Sequence, residues 1–404
     1  MRGELKKMKK VLSVLFVLFI AFTFFTITAG AEEDFKVGLI LVHDENSGYD
    51  MAHIDGMKAA QQALGLRDDQ IIYKYNIPET EACYDNAVDL AEQGCKLIIS
   101  NSYGHQSYMM QAAAEYPEIT FVAATGDTAW KEPVDNVANF FPHTYESRYV
   151  SGVVAGMKLK ELLDNGKAKD PYVCYVGAYP YAEVVSGYTG FFLGVRSIVP
   201  DAHMDVQYTN SWYDPKAEAE AANALIARGC VIIGQHADST GAPSAIQAAK
   251  DSGKTVYSVG YNIDMLAVAP TAALTSAQNR WGALYTSTIE KAMKGEKIPT
   301  DFSVGYANDA VQISPLGPEV AEGTQEAVDK AIAGIIDGSL NIFDTANFTV
   351  GGEKITTFLA LDTDGDWAGD EGEAIENGIF MESKLISAPY FSLRIDGITE
   401  LTNE

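Results

Sequence analysis

The chain is poor in positive charge. Its 404 residues hold 29 Lys and Arg against 55 Asp and Glu, for a formal net charge of −26. Nucleic acids and anionic membrane surfaces recruit Lys and Arg, so this balance argues against both as partners. It does not argue for a cationic ligand, because surface acid mostly serves solubility. Cysteine is scarce, with only Cys83, Cys95, Cys174 and Cys230. They form no CxxC pair and no Cys/His cluster, so nothing points to zinc. Cys83 and Cys95 flank an expected helix whose ends lie roughly 15 Å or more apart at 1.5 Å per residue, beyond disulfide reach. Cys174 and Cys230 fall in expected core strands, where the reading is that of small buried hydrophobes.

Catalytic motifs are also missing. There is no G-x-S-x-G elbow, no H-E-x-x-H, no P-loop and no G-x-G-x-x-G fingerprint. His236, Asp238 and Ser239 share one loop, but a triad needs a relay in space that neighbours on one loop rarely achieve. The expectation is a protein that is not an enzyme and takes no cofactor.

Long apolar runs are absent beyond the N-terminus. There, Arg2, Lys6, Lys7, Lys9 and Lys10 precede V11-L-S-V-L-F-V-L-F-I-A-F, and T28-A-G-A31 offers a small-residue cleavage site before Glu32. Residues 1–31 therefore read as a secretory signal peptide. The alternative is an uncleaved anchor, since the run approaches the length of a short span. No Cys stands at the cleavage point to take a lipid. The expected location is the periplasm or cell surface, without direct membrane insertion after cleavage. The remaining residues, carrying −30, suit two α/β domains.

What is present is a repeat. Strand F35-K-V-G-L-I-L-V is followed by a helix at 53–65, strand 71–76, helix 79–94, strand C95-K-L-I-I-S, loop 101–105, a helix from 106 and strand 119–126. The second half runs Y172-V-C-Y-V-G, a helix from 186, strand 204–209, helix 215–229, strand C230-V-I-I-G, loop 235–239, a helix from 242 and strand 255–262. D89-L-A-E-Q-G-C-K-L-I-I-S and A224-L-I-A-R-G-C-V-I-I-G nearly repeat each other. Short β-branched runs alternating with helical patterns mean βαβ units and parallel sheets. In the helix at 215–228, Asp214 suits the N-cap, Pro215 the first turn and Gly229 the C′ position, with Ala222, Leu225 and Ile226 on one face.

Two doubly wound parallel-sheet lobes imply a cleft at the carboxyl ends of their strands. The loops there hold the candidate ligand-binding residues: Tyr49, Asp50, Ser102, Thr125, Trp212, Asp238 and Asn262. Tyr49 and Trp212 can clamp a planar ligand, each contact contributing roughly 1–3 kcal/mol. A buried carboxylate at Asp238 can accept from a ring N–H or an exocyclic amine. Each residue has a plainer alternative. The rings can be inter-lobe packing, Ser102, Thr125 and Asp238 can cap helices, and Asn262 can serve a left-handed turn. Arg148 reads as the holder of a crossover, with Glu146 as its partner. D362-T-D-G-D-W-A-G-D-E-G-E373 places Asp362, Asp364, Asp366 and Glu373 as in an EF-hand loop. Trp367 occupies the position where the turn wants Gly, so this is a weak calcium candidate and a solvated acidic loop is the main reading.

Together, G48-Y-D, T125-G, Y145-E-S-R-Y-V-S-G-V-V-A-G156, N210-S-W-Y-D-P215, Q235-H-A-D-S239, L274-T-S and W281-G resemble the basic membrane protein family of solute-binding proteins, over residues 36 to about 340. The resemblance implies a type I periplasmic-binding-protein fold with three hinge crossovers. It implies a nucleoside or purine ligand, and a permease and ATPase of an ABC importer as partners. In that family's nucleoside binders an aromatic before the Asp-Pro helix stacks on the base, and Trp212 matches it; Tyr49 matches the opposite ring. Thr125 stands where nucleoside binders place Asp, and Asn262 where they place a carboxylate on the ribose. The S-W-Y-D-P and Q-H-A-D-S pairing is more similar to the branch that binds free purine bases such as adenine. The expected division is 1–31 signal peptide, 32–144 plus 276–308 N-terminal lobe, 145–275 plus 309–345 C-terminal lobe, and 346–404 an extension packing on the lobes.

Overall fold

The computed structural model describes residues 35–131, 134–360 and 372–401. The expected signal peptide, Asp362, Asp364 and Asp366 lie outside them. Among the described residues no helix is long and apolar enough to cross a membrane.

The strands in chain order are β1 Lys36–Ile40, β2 Ile71–Lys74, β3 Cys95–Ser100, β4 Thr120–Ala124, β5 Val137–Pro142, β6 Tyr172–Gly177, β7 His203–Tyr208, β8 Ile232–Gln235, β9 Tyr257–Tyr261, β10 Ala273–Asn279, β11 Asp301–Val304, β12 Val311–Ile313, β13 Ile375–Glu376, β14 Ile379–Phe380 and β15 Ile398–Leu401. The helices are α1 Gly48–Leu64, α2 Ala82–Glu92, α3 Gln106–Glu115, α4 Thr128–Lys131, α5 Thr144–Asp164, α6 Ala182–Arg196, α7 Pro215–Ala227, α8 Gly241–Asp251, α9 Trp281–Met293 and α10 Thr324–Asp337. One sheet runs β11-β5-β4-β3-β1-β2 and is parallel throughout. The other runs β12-β10-β9-β8-β6-β7-β15, parallel except where β12 meets β10.

The alternation of side chains along a strand explains the layering. In β3, Leu97 and Ile99 point into the cluster that takes Met57 of α1 and Leu284 of α9. Ile98 points the other way, among Leu90 of α2 and Met109 of α3. Each of these residues is fully buried, and each contributes roughly 1.5–3 kcal/mol of transfer free energy. In the second lobe α7 forms as its sequence dictates. Asp214 accepts from the N–H groups of Lys216 and Ala217, and Gly229 takes φ +99 just past the end. Ala222, Leu225 and Ile226 bury their face in the core. Helices α5 and α6 pack backbone to backbone: a Cβ on Gly152 would sit 2.0 Å from the carbonyl oxygen of Phe191.

The chain crosses between the lobes three times: at His143 from β5 to α5, at Arg280 from β10 to α9, and between Val304 and Val311 from β11 to β12. The second crossover falls at 280 rather than 276, because β10 stays in the second sheet to Asn279. Glu146 fastens the first crossover to the third. Its Oε1 lies 2.8 Å from His143 Nδ1, and its Oε2 accepts from the N–H of Tyr306 at 2.7 Å. Arg148 does not pair with Glu146, contrary to the sequence reading; its place is described below.

Cysteine use also differs from expectation. Cys174 of β6 and Cys230 at the entry to β8 form a disulfide, with Cα atoms 6.2 Å apart. They are brought together because β6 and β8 are neighbours in the sheet. Cys83 and Cys95 stay free and buried, and burial pushes their thiols up to about 12 and about 11.

Described residues after 345 join the second lobe's core. Phe348, Phe380, Phe391 and Ile395 pack in it, and β15 extends the sheet beside β7. The segment also reaches the first lobe, where Ser387 N–H donates to both carboxyl oxygens of Asp301 at 3.1 Å. Glu373 is tied to backbone, accepting at 2.8 Å from the N–H groups of Phe358 and Ile375. Among the described residues no cluster of His, Cys, Asp and Glu is arranged to hold a metal.

Candidate functional site

A slot lies between the lobes at the carboxyl ends of the strands. The first lobe lines it with Val42, His43 and Tyr49 after β1, Asn101, Ser102 and Tyr103 after β3, and Thr125 after β4. The second lines it with Glu183 after β6, Trp212 after β7, His236 and Asp238 after β8, and Tyr261 at the end of β9.

Asp50 does not line the slot; it organises one wall from behind. Its Oδ1 accepts from the His43 N–H at 3.1 Å and from Asn101 Nδ2 at 2.8 Å. Burial raises this carboxyl, but hydrogen bonds from His43, Asn101 and Ser47 outweigh it and hold the group below its ordinary value. The reciprocal bond, with the Asp50 charge, raises His43. Asn101 returns its Oδ1 to the N–H of Val42 at 3.0 Å and its carbonyl to the Tyr49 hydroxyl at 2.5 Å. The Tyr49 ring stands edge-on to His53, centroids 4.6 Å apart. Ser102 lines the slot and stands at the N-cap of the 3-10 turn Tyr103–His105, but its side chain caps nothing there and donates instead to Glu79 Oε1 at 2.6 Å. Thr125 caps nothing either. It sits at φ +66, a left-handed backbone that costs a β-branched residue of order 1–3 kcal/mol, and its buried hydroxyl has no partner among the described residues.

In the second lobe, Trp212 packs edge-on to Tyr179, centroids 5.1 Å apart. Its carbonyl accepts from the Asp238 N–H at 2.8 Å, which ties the two loops together. Asp238 Oδ1 accepts from Asn262 Nδ2 at 2.8 Å. Burial, then the charges of Glu218, Asp50 and Glu183, push the Asp238 carboxyl well above the usual carboxylate range. Helix α8 is entered from Thr240, so Asp238 is not its N-cap. Asn262 takes φ +62, as a left-handed turn requires, and sits behind Asp238 rather than in the slot wall. No triad exists in this loop. His236 Nε2 faces Glu183 Oε1 at 3.3 Å, and Ser239 Oγ accepts from the Gly241 N–H.

Seven slot residues were not among the sequence candidates: Val42, His43, Asn101, Tyr103, Glu183, His236 and Tyr261. Glu183 and His43 carry no local mark; His236 and Tyr261 were readable as loop and strand-end residues but not as slot walls. Arg148, buried under the slot, donates from Nη1 to the Gln235 carbonyl at 2.6 Å, with its guanidinium carbon 3.6 Å from the Tyr261 ring centre.

With the lobes in contact, only about 30 Å³ of the slot is free, room for about two waters and not for a heterocycle. A cavity of about 540 Å³ adjoins it, sharing Tyr103, Thr125, Glu183 and Trp212 and walled outside by Tyr181, Pro389, Tyr390 and Ser392.

Residues 40–339 match the family model Bmp, described as ABC transporter substrate-binding protein PnrA-like. The chain belongs to this family. A purine-binding protein of Brucella abortus is 32% identical over 316 residues, covering 78% of this chain and 85% of that protein. A putative ABC transporter glucose-binding protein of Haloferax volcanii is 29% identical over 302 residues, covering 74% and 72%. The crystal structure of a solute-binding protein from Aeropyrum pernix matches with TM-score 0.64 at 18% identity, covering 76% of this chain and 92% of that one. This Bmp-family chain is thus an ABC transporter substrate-binding protein with the fold of the type I periplasmic binding proteins, and not an enzyme.

Proposed function

We propose that this Bmp-family protein is an exported receptor for a free purine base of the adenine type, which it holds between Tyr49 and Trp212 and delivers to a membrane permease driven by a partner ATPase. The observation that carries the reading is the slot wall: one large ring from each lobe, beside a buried hydroxyl on Thr125 that has no partner among the described residues and a buried carboxyl on Asp238. A flat ring needs the least parting of the two aromatic walls. Its edge offers the Thr125 hydroxyl a partner and adds to the single Asn262 bond on the Asp238 carboxyl, and leaving a buried polar group unmet is costly. The purine-binding relative supports the choice. Ligand entry requires the lobes to swing apart on the three crossovers and close again, a hinge motion of the kind binding proteins use.

A second reading, a purine nucleoside, is favoured by the adjoining 540 Å³ cavity, which has room for a sugar on the outer side of Trp212. Calorimetry with adenine, adenosine and glucose separates the readings. Adenine binding most tightly supports the first. Tighter binding of adenosine replaces it with the second. Binding of glucose alone removes the purine from the account.

A further inference from the structure

We propose that Glu183 is the side chain that reads the amino edge of the purine, and that His236 and Arg148 hold it in place as a hydrogen-bond acceptor. The inference rests on the purine reading of the slot and adds a specificity residue to it.

Glu183 stands in the first turn of α6, and its side chain lines both the slot and the outer cavity. Its Oε1 faces His236 Nε2 at 3.3 Å, while its Oε2 makes no hydrogen bond among the described residues. A neutral imidazole carries one N–H. Facing a carboxylate, that proton belongs on Nε2, so His236 donates and Glu183 accepts. Nδ1 is then bare, and it is buried without a partner.

Arg148 explains why this arrangement persists. A Cβ on Gly187 would lie 3.1 Å from His236 Nδ1 and 3.5 Å from Arg148 Nε, so the bare Nδ1 and the guanidinium converge on the same spot against α6. A cation beside that lone pair favours the Nε2–H tautomer and opposes a second proton. Burial and the Arg148 charge together lower His236 to about 4. A neutral His236 orients Glu183 without cancelling its charge. Arg148 is itself fixed by the Gln235 carbonyl and by the Tyr261 ring.

The slot thus sets unlike carboxyl groups around the ligand. Asp238, whose buried carboxyl is pushed up, is suited to keep a proton and donate to a ring nitrogen. Glu183 accepts only. A heterocycle with an amino group beside a ring nitrogen answers both; a ring carbonyl in place of the amine would face Glu183 with like polarity.

Calorimetry at neutral pH with adenine and hypoxanthine tests this. Wild type should prefer adenine at least tenfold. Glu183→Gln should weaken adenine at least tenfold and bring the adenine-to-hypoxanthine ratio to one or below, because the amide can donate to the carbonyl. His236→Asn should shrink the same ratio. A merely structural role would weaken both ligands together and leave the ratio alone, and an unchanged ratio in Glu183→Gln overturns the inference. If wild type binds neither purine, the purine reading of the slot falls and takes this inference with it.

Discussion

The N–H of Gly48 donates to the carbonyl oxygen of Asp238 at 3.2 Å, so the first turn of a helix in one lobe is bonded directly to the binding loop of the other. His43 and Tyr213 meet across the same gap, ring centres 5.6 Å apart. A Cβ on Gly48 would lie 3.1 Å from that carbonyl and 3.4 Å from Ile263 Cγ1. Gly48→Val should therefore hold the lobes apart. We expect affinity for adenine to fall about tenfold, or about 1.4 kcal/mol, with the melting temperature nearly unchanged, since the clash vanishes when the lobes separate. Equal affinity by calorimetry would show that this approach is not needed for binding.

Trp212 is partly exposed and lines the slot with its ring. Trp212→Ala should weaken adenine at least tenfold, as loss of a stacking contact of roughly 1–3 kcal/mol implies. Because the side chain packs only on the rim of the second lobe's core and is partly exposed, the melting temperature should move little. A variant that binds as tightly as wild type would remove Trp212 from the ligand's contacts.

The elements that were legible in the sequence are those written locally. Helix α7 is announced by Asp214, Pro215 and Gly229, and β3 by its apolar run, because caps and periodicity act over a few residues. Tyr49 and Trp212 were legible for the same reason, as rings beside a Gly and an Asp-Pro helix start. The disulfide was not, because Cys174 and Cys230 meet only once β6 and β8 are neighbours. Glu183 and Arg148 were not, because their meaning depends on His236, 53 residues from the first in sequence. The described residues after 345 form short strands and many turns, with no period to follow.

The Cys174–Cys230 bridge closes a loop with a sequence separation of 56. Loop closure of that size corresponds to roughly 4 kcal/mol in the chain-entropy account. Alkylation of the unfolded protein without reductant should block two thiols, and four after reduction, as read by mass spectrometry. Cys174→Ser with Cys230→Ser should lower the melting temperature by several degrees. Four free thiols in the purified protein would show that the bridge does not form.

Stability should fall as pH rises from about 6.5 to about 8. Burial raises Glu382 to about 8 and Glu218 to about 7, above the usual value near 4.3. Across this window the folded state holds more protons than the unfolded one, so unfolding free energy decreases with pH. His43, raised chiefly by its bond to Asp50, has the same sign here. His53 and His236, lowered by burial to about 3 and about 4, act in the opposite sense, but only as pH falls below about 6.5. Glu382 Oε2 accepts from the N–H groups of Tyr390 and Phe391, and its Oε1 is unpartnered. Glu382→Gln keeps an acceptor and removes the charge. Its melting temperature at pH 8 should exceed that of wild type, and its decline between pH 6.5 and 8 should be shallower. Parallel curves for the two proteins would refute the assignment.

The chain's last described strand is fixed by one carboxylate. Glu400 of β15 accepts from the hydroxyls of Tyr188 and Tyr208 with the same oxygen, each at 2.7 Å, and from Arg394 Nε at 3.1 Å. Both tyrosines are buried, and burial with the Glu400 bond pushes their hydroxyls far above the usual range. Removing the acceptor takes the shared carboxylate from two buried hydroxyls, and a buried donor that loses its bond costs about 1–3 kcal/mol. Glu400→Ala should therefore destabilise clearly. Replacing the two hydroxyls and the carboxylate together by apolar groups removes that mismatch, and such replacements can be nearly neutral. The triple variant Tyr188→Phe, Tyr208→Phe, Glu400→Leu should melt above Glu400→Ala, despite carrying two further substitutions. If the triple variant melts lower, the cost of Glu400→Ala comes from lost β15 packing beside β7 rather than from the lost acceptor, and the carboxylate is not what holds the strand.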